Sequence, residues 1–562
     1  MWKRLALSSF LLFSAAFFFA EELPTNASRL KVSFAEAKGH IDYFNSDQVP
    51  DGFAQKASNV NFTRGKRSLT PRKGWGFFAN HQLTVAPPYF PKSIHVYVST
   101  SNTKYLVTRV QETWEAFSVA NATSTNINIG NAGGFAFDTD AFQWDEFIYL
   151  VSQTTAMYRL QETTPNQALQ ITNVSTGPQG QISSVHLNRA LISGDTGQML
   201  TVYFSAADNP ESWPSLNYLT ITGVRDGDKI TGLGQTLLGS LPIYTNNTTR
   251  IIQGTVFPSA ETAGNTTVRV VSDSIGCINH KTIKNLNNKQ YFLSGGPNGT
   301  IPGIYVFNGI SVKEVTKGQR NLFKGIAEVQ VSTLNRSNGF VFENKYCVSF
   351  ATVHPSIGSD KVTVCVDEEN NVYEWPHGIV RSNPASYFSI DGIVSLDGKY
   401  YMTGGNSDNT VWMRRNWVYG EMDEDNATTK SLSGNTMGAE IQWSYKTKDY
   451  DMGDNARYKL PDRAYISSDY WPTSFTVTAN YDFGRSSTSW VINSTTNYTA
   501  TSTTTRIDGS RETVMFSSPS VIVNKLKFPR DIRFNYVNFE ISGSTYASIR
   551  YLDFYAKPEI LR

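Results

Sequence analysis

Past the first twenty or so positions, no segment long enough for an amphipathic helix carries apolar residues at the i, i+3, i+4, i+7 spacing. Short runs rich in β-branched and aromatic residues take their place, alternating apolar and polar and separated by Gly, Asn, Asp and Ser. Runs at 105–110, 146–153, 199–205, 290–294, 304–308, 362–366 and 399–403 are examples. Such a chain can bury apolar surface only by pairing strands into sheets and packing the sheets, so the fold is expected to be all-β.

The runs have an irregular beat. FIYLV at 147–151 is followed by MYRL at 157–160, YFL at 291–293 by IYVF at 304–307, and YCVSF at 346–350 by strands at 362–366 and 372–375. The beat recurs about every forty to sixty residues, the scale of a four-stranded propeller blade. One such unit cannot bury its own apolar face; several around an axis can. With 562 residues, the chain exceeds one ordinary core. The expected layout is an apolar signal-like or anchor segment at 1–22 and an N-terminal arm with the first propeller strands at 23–90. An irregular β-propeller follows at 91–420, then an acidic, Thr/Ser/Asn-rich linker at 421–435, and a C-terminal β-sandwich-like domain at 436–562.

Lys3 and Arg4 precede an apolar run over 5–20 that ends at Glu21 and Glu22, the layout of a secretory signal peptide. At about sixteen residues it falls short of the roughly twenty a spanning helix needs. An uncleaved anchor or an arm packed on a partner uses the same residues. Ala20 suits a cleavage position; Phe18 stands where a small residue is expected. The Asn-x-Ser/Thr sequons, Asn61, Asn247 and Asn265 among them, carry little weight in a chain so rich in Asn, Ser and Thr.

Charge narrows the function. Fifty Lys+Arg balance 48 Asp+Glu, a formal net of +2, which gives no basic face for gripping nucleic acid. Arg64, Lys66, Arg67, Arg72 and Lys73 form a small basic patch beside Trp75, expected to be a rim or partner contact. Three cysteines, Cys277, Cys347 and Cys365, are too few and too odd in number for a disulfide scaffold.

Signals for chemistry are sparse. No two of the seven histidines stand within four residues of each other, and there is no H-E-x-x-H, C-x-x-C, G-x-S-x-G or phosphate loop. The histidines are expected to satisfy hydrogen bonds in turns and sheets. SGDTG at 193–197 copies the start of the box found on sialidase propellers, but Met199 and Leu200 stand where Thr and Trp belong; it is expected to be a tight hairpin. The Asp226-Gly227-Asp228 run also reads as a turn rather than a calcium loop, and Glu421, Asp423, Glu424 and Asp425 as a solvated run. A glycoside hydrolase would need two carboxylates about 5–10 Å apart. Asp138, Asp140, Asp145 and Glu146 cluster in sequence but look like blade-turn residues. No catalytic residue, cofactor or metal is assigned, and the protein is expected not to be an enzyme.

One ordered set of motifs goes further. GFA at 52–54 and NVNF at 59–62 lead to RKGW at 72–75. DNPESWP at 208–214 and Asn217-Tyr218 lead to GDKITGL at 227–233. VVSDSIGC at 270–277 leads to YFLS at 291–294 and GIYVFNG at 303–309, and TKDYDMGD stands at 447–454. In order and spacing these pieces resemble the β-propeller tail-nozzle or head-to-tail hub proteins of short-tailed bacteriophages, over about residues 50–555. The resemblance implies a structural virion protein in a hexameric ring. Its axis would form part of the DNA exit channel, below the portal and adaptor rings and above a needle or plug. The partners implied are copies of itself, the portal and adaptor rings, the tail needle or plug, tail fibres and, transiently, DNA. Trp75, Trp213, Gly227, Gly276 and Gly309 are then the expected turn and core positions of the matched motifs. The apolar N-terminus is not part of that pattern. The alternatives are a secreted or surface propeller that binds glycans and, third, a glycoside hydrolase.

Overall fold

The computed structural model describes residues 28–33, 48–50, 53–63, 68–71, 75–82, 91–110, 113–120, 126–128, 139–164, 168–255, 257, 264–295, 302–319, 323, 337–354, 358–376, 389–405, 410–416, 422–424, 438–440, 443–452, 458–468, 474–493, 500–505, 511–516, 522–528, 532–543 and 548–558. Nearly all of these lie in strands or the turns between them. Short 3-10 turns such as His280–Thr282 stand among the described strands.

Seven antiparallel four-stranded meanders follow one another. They cover 91–128, 139–174, 182–220, 230–272, 284–314, 338–376 and 389–416, and are numbered here as blades one to seven. The seventh has three strands of its own, Ser389–Leu396, Lys399–Gly405 and Thr410–Asn416; its outermost strand is Trp75–Gln82, from near the start of the chain. Innermost strands of successive blades lie side by side, the His280–Thr282 turn intervening between blades four and five, and Ser389–Leu396 of the last lies against Pro91–Val98 of the first. The circle is closed: this is a seven-bladed propeller whose last blade is completed by an N-terminal strand.

A recurring hairpin builds each blade. In blades three to seven both central residues of the turn between the first two strands have positive φ: Leu187-Asn188, Leu238-Gly239, Asn287-Asn288, Glu343-Asn344 and Asp397-Gly398. Two positive φ values make the tight turn whose twist matches that of paired strands. The second strand then buries aromatic rings: Tyr105, Tyr149, Tyr244, Tyr291, Tyr346 and Tyr400 are all at most 2% exposed. Their hydroxyls and their neighbours' link the blades. Tyr97 donates to Glu146 O at 2.8 Å, Tyr244 to Gln290 Oε1 at 2.7 Å and Tyr346 to Thr282 O at 2.7 Å. Tyrosine suits this seam because it supplies a large apolar body and a polar tip that must find a partner when buried.

The second domain is a sandwich assembled from both ends of the chain. In one sheet Ile549–Pro558 lies between Ser28–Ser33 on one side and Lys459–Ser468 on the other, with Val60–Thr63, Ser68–Pro71 and Ile522–Lys527 extending it. In the other, Ala54–Ser58 pairs with Trp443–Thr447, followed by Val537–Gly543, Ser474–Tyr481 and Ser486–Asn493. Trp443, Phe475, Ile466, Phe534, Phe539 and Phe554 fill the space between, in a core that continues into Phe340 and Tyr400 of blades six and seven.

Three points of the sequence reading are refined here. Of the segment 23–90, the described strands as far as Pro71 belong to the sandwich, and Trp75–Gln82 is a propeller strand, but the outermost of the last blade rather than one of the first. The expected linker begins with Met422–Glu424, which pairs with Gly438–Glu440; the rest of 421–435 lies outside the described residues. Cys347 and Cys365 stand directly opposite each other in blade six and form a disulfide, while Cys277 is free and buried. Residues 1–22 lie outside the described residues. Among the described residues no helix is long and apolar enough to cross a membrane.

Candidate functional site

Around the propeller axis the innermost strands leave a cavity of about 350 Å³. All seven blades contribute to its wall: His95 from the first, Asp140 from the second, Ser183 from the third, Leu233 from the fourth, Lys284 from the fifth, and Asn338 and Ile393 from the last two, with His280 and Lys281 from the turn that enters blade five. Alternation along each strand aims every second side chain inward.

The polar centre is Asp140, 6% exposed. Its Oδ2 accepts from the Ser183 backbone N–H and hydroxyl, each at 2.7 Å, and from His280 Nε2 at 3.0 Å. His280 is fixed in turn: the Leu233 N–H donates to its Nδ1 at 3.3 Å, which leaves Nε2 to donate to Asp140. His95 Nδ1 stands 4.0 Å from Asp140 Oδ1. One carboxylate thus joins blades two and three to the turn entering blade five, and His280 joins that turn to blade four. Burial opposes its charge, but His280, His95 and the Ser183 hydroxyl outweigh burial and hold the carboxyl well below the usual range. His95 goes the other way. Burial, aided by Lys281 and Lys284 and only partly offset by Asp140, lowers it to about 4. Burial also lowers the Lys284 ammonium, against the pull of Asp140.

Asp140 was expected in a blade turn; it lies instead within the strand Thr139–Trp144, facing the axis. Asp145 is in the following turn, at φ 48°, and Asp138 lies outside the described residues. The cavity wall therefore holds one carboxylate among its described residues, where glycoside hydrolysis takes two. Among the described residues no cluster of three or more His, Cys, Asp or Glu could hold a metal ion.

The five motif positions do not converge. Trp75 begins the closing strand of blade seven. Trp213 packs against the seam between blades two and three, near Tyr149, and its Nε1 donates to Pro210 O at 2.9 Å; in the same segment Glu211 pairs with Arg159 at 2.6 Å. Gly227 takes φ 80° in the connection from blade three to blade four, and the adjacent Asp228 accepts from Asn247 and Thr245. Gly309 takes φ 92° in a hairpin of blade five. Gly276 is needed for closeness: a Cβ there would stand 2.1 Å from Thr245 O and 2.5 Å from Asn246 C. Both are backbone atoms in a tight turn, so Gly276→Ala is expected to destabilise the protein by about 3 kcal/mol, read as a lower urea midpoint with unchanged slope. An unchanged midpoint would show that the turn yields freely. SGDTG at 193–197 is the hairpin expected of it: Gly194 has φ 85° and Asp195 accepts from the Gly197 N–H at 3.0 Å. The basic residues Arg64, Lys66, Arg67, Arg72 and Lys73, with Glu421 and Asp425, lie outside the described residues.

No family model matches the chain, and no curated protein does. Solved structures that match include Raptor from Chaetomium thermophilum, at 9% identity and a TM-score of 0.38 over 62% of this chain, which spans 30% of that one. The Pan2 WD40 domain of Neurospora crassa matches at 10% identity and a TM-score of 0.34, over 61% of this chain and 96% of that one. The extracellular domain of a putative one-component system from B. thetaiotaomicron matches at 8% identity and 0.37, over 86% and 63%. Likeness at this level assigns nothing, and the architecture rests on the strand pairing itself.

Proposed function

We propose that the chain is a structural subunit that assembles with copies of itself into a hexameric ring, the tail nozzle or hub of a short-tailed phage, forming part of the DNA exit channel below the portal and adaptor rings. The phage assignment rests on the ordered motifs given above. Self-association rests on one structural observation. At the first turn position of blades five, six and seven stand Asn287, Glu343 and Asp397; at the same position of blades three and four stand Leu187 and Leu238, φ 48° and 49°, 39% and 71% exposed. A left-handed backbone costs a non-glycine residue about 1–2 kcal/mol, least for Asn and Asp. Leucine there serves neither the turn nor the core of the subunit. Leu238 also lies over Gly309, next to Ile310, which is 77% exposed, so the apolar patch bridges blades four and five. Apolar surface displayed at a cost in strain fits a face that another copy covers.

Native mass spectrometry and negative-stain imaging of the purified protein test this. A six-fold ring is expected; a monomer at micromolar concentration overturns it. The double variant Leu187→Asn/Leu238→Asn is expected to weaken association at least tenfold while raising subunit stability by about 1 kcal/mol through relief at the turns. Unaltered assembly would remove this patch from the contact. The ring reading further expects acidic or polar side chains along the DNA passage, since a strongly basic lumen would hold DNA.

A second reading is favoured by the Cys347–Cys365 disulfide. Disulfides persist in oxidising surroundings, and together with the signal-like N-terminus this fits an exported propeller that binds glycans. N-terminal sequencing of protein made in its own host separates the two: cleavage near residue 20 supports export.

A further inference from the structure

The wall of the axial cavity is chemically lopsided. Its described residues carry two lysines, Lys281 and Lys284, against the single carboxylate of Asp140. That carboxylate is already engaged, with three donors on Oδ2. Among the described residues Lys284 forms no salt bridge, and its charge meets opposite charge only at a distance, in Asp140. Lys284 is half-buried, and an ammonium group partly withdrawn from water without a close counter-ion is favoured by a mobile anion that supplies the charge. The wall is also rigid, because the Asp140–His280 hydrogen bond and the Leu233 N–H hold the His280–Thr282 turn, and both lysines stand on that turn or just after it. The volume admits a molecule of several non-hydrogen atoms with its first waters.

We propose that the axial cavity is a binding site for a small oxyanion, a phosphate- or carboxylate-bearing molecule, held by the ammonium groups of Lys284 and Lys281, both of which line it. Asp140 takes no part in contacting the anion; it positions the lysine-bearing turn. Bound anion supplies a close counter-charge to Lys284, beside the turn that separates blades four and five. The site stands apart from the ring reading, being complete within one subunit.

Isothermal titration calorimetry of the full-length protein at pH 7 and low salt tests it, with inorganic phosphate in one arm and acetate in the other. Saturable binding of either, at about one per chain with a Kd below about 1 mM, is expected, and the stronger arm names the headgroup. Lys284→Met should weaken it at least tenfold, whereas Lys313→Met, on the exposed outer strand of blade five, should leave it unchanged. Lys284→Arg, which keeps the charge, should retain binding and guards against a folding defect in the Met variant. No saturable heat in either arm up to about 10 mM overturns the proposal, as does equal binding by the wild type and Lys284→Met.

Discussion

Asp140→Ala is expected to cost about 3–5 kcal/mol of unfolding free energy, among the largest effects of any single side chain here. The substitution leaves the Ser183 N–H and the His280 Nε2–H without their acceptor, and removes the nearest negative charge from Lys284. Because the carboxylate joins several blades, the loss should appear as a lower urea midpoint for the whole propeller rather than local fraying. A decrease under about 1 kcal/mol would mean the blades are held by their apolar seams alone. The same cluster sets a pH dependence. Asp140 has a depressed folded pKa, so its contribution is present above the unfolded value near 4 and is lost as pH falls through the folded one. His95, lowered from 6.5 to about 4, binds its proton in the unfolded chain first. Between those values the unfolded state holds more protons, so stability should fall by about 2–3 kcal/mol as pH drops from about 6.5 to about 4. His95→Gln should flatten that slope; an unchanged slope would place the titration elsewhere.

Removal of residues 1–82 is expected to abolish cooperative folding altogether. The deletion takes the closing strand Trp75–Gln82 from blade seven, exposing the hydrogen-bonding edge of Thr410–Asn416. It also strips Ser28–Ser33, Ala54–Ser58, Val60–Thr63 and Ser68–Pro71 from the two sandwich sheets. Unpaired edges and an uncovered core lead to aggregation rather than to a smaller folded unit. Size-exclusion chromatography and a thermal melt followed by circular dichroism are the measurements. A soluble monomer with a single sharp transition would show that the propeller closes without this strand.

The blades were legible because their signals are local. Alternation, the aromatic second strand and the turn residues all act within a few positions, and Asn287-Asn288 or Asp397-Gly398 can be read as tight turns from residue type alone. Leu187 and Leu238 concealed the same turn in blades three and four, because leucine is not a turn residue; the equivalent positions in blades five to seven are the signal that could have revealed them. The axial cluster was harder to see. Asp140 is far in sequence from His280 and Lys284, and an isolated charge in a strand reads as one more solvated residue until the innermost strands are known to face one another.

From the sequence alone come the strand class, the repeating unit and the turns that shape it, since these depend on backbone sterics and on which face of a short segment is apolar. Tertiary structure alone decides that Trp75–Gln82 closes blade seven, that the sandwich takes strands from both ends, and that Asp140 meets His280 on the axis. Ladder hydrogen bonds join backbone groups that every residue carries, so the partner of a strand some three hundred positions away leaves little mark on either sequence. Burial of the last open edge chooses it.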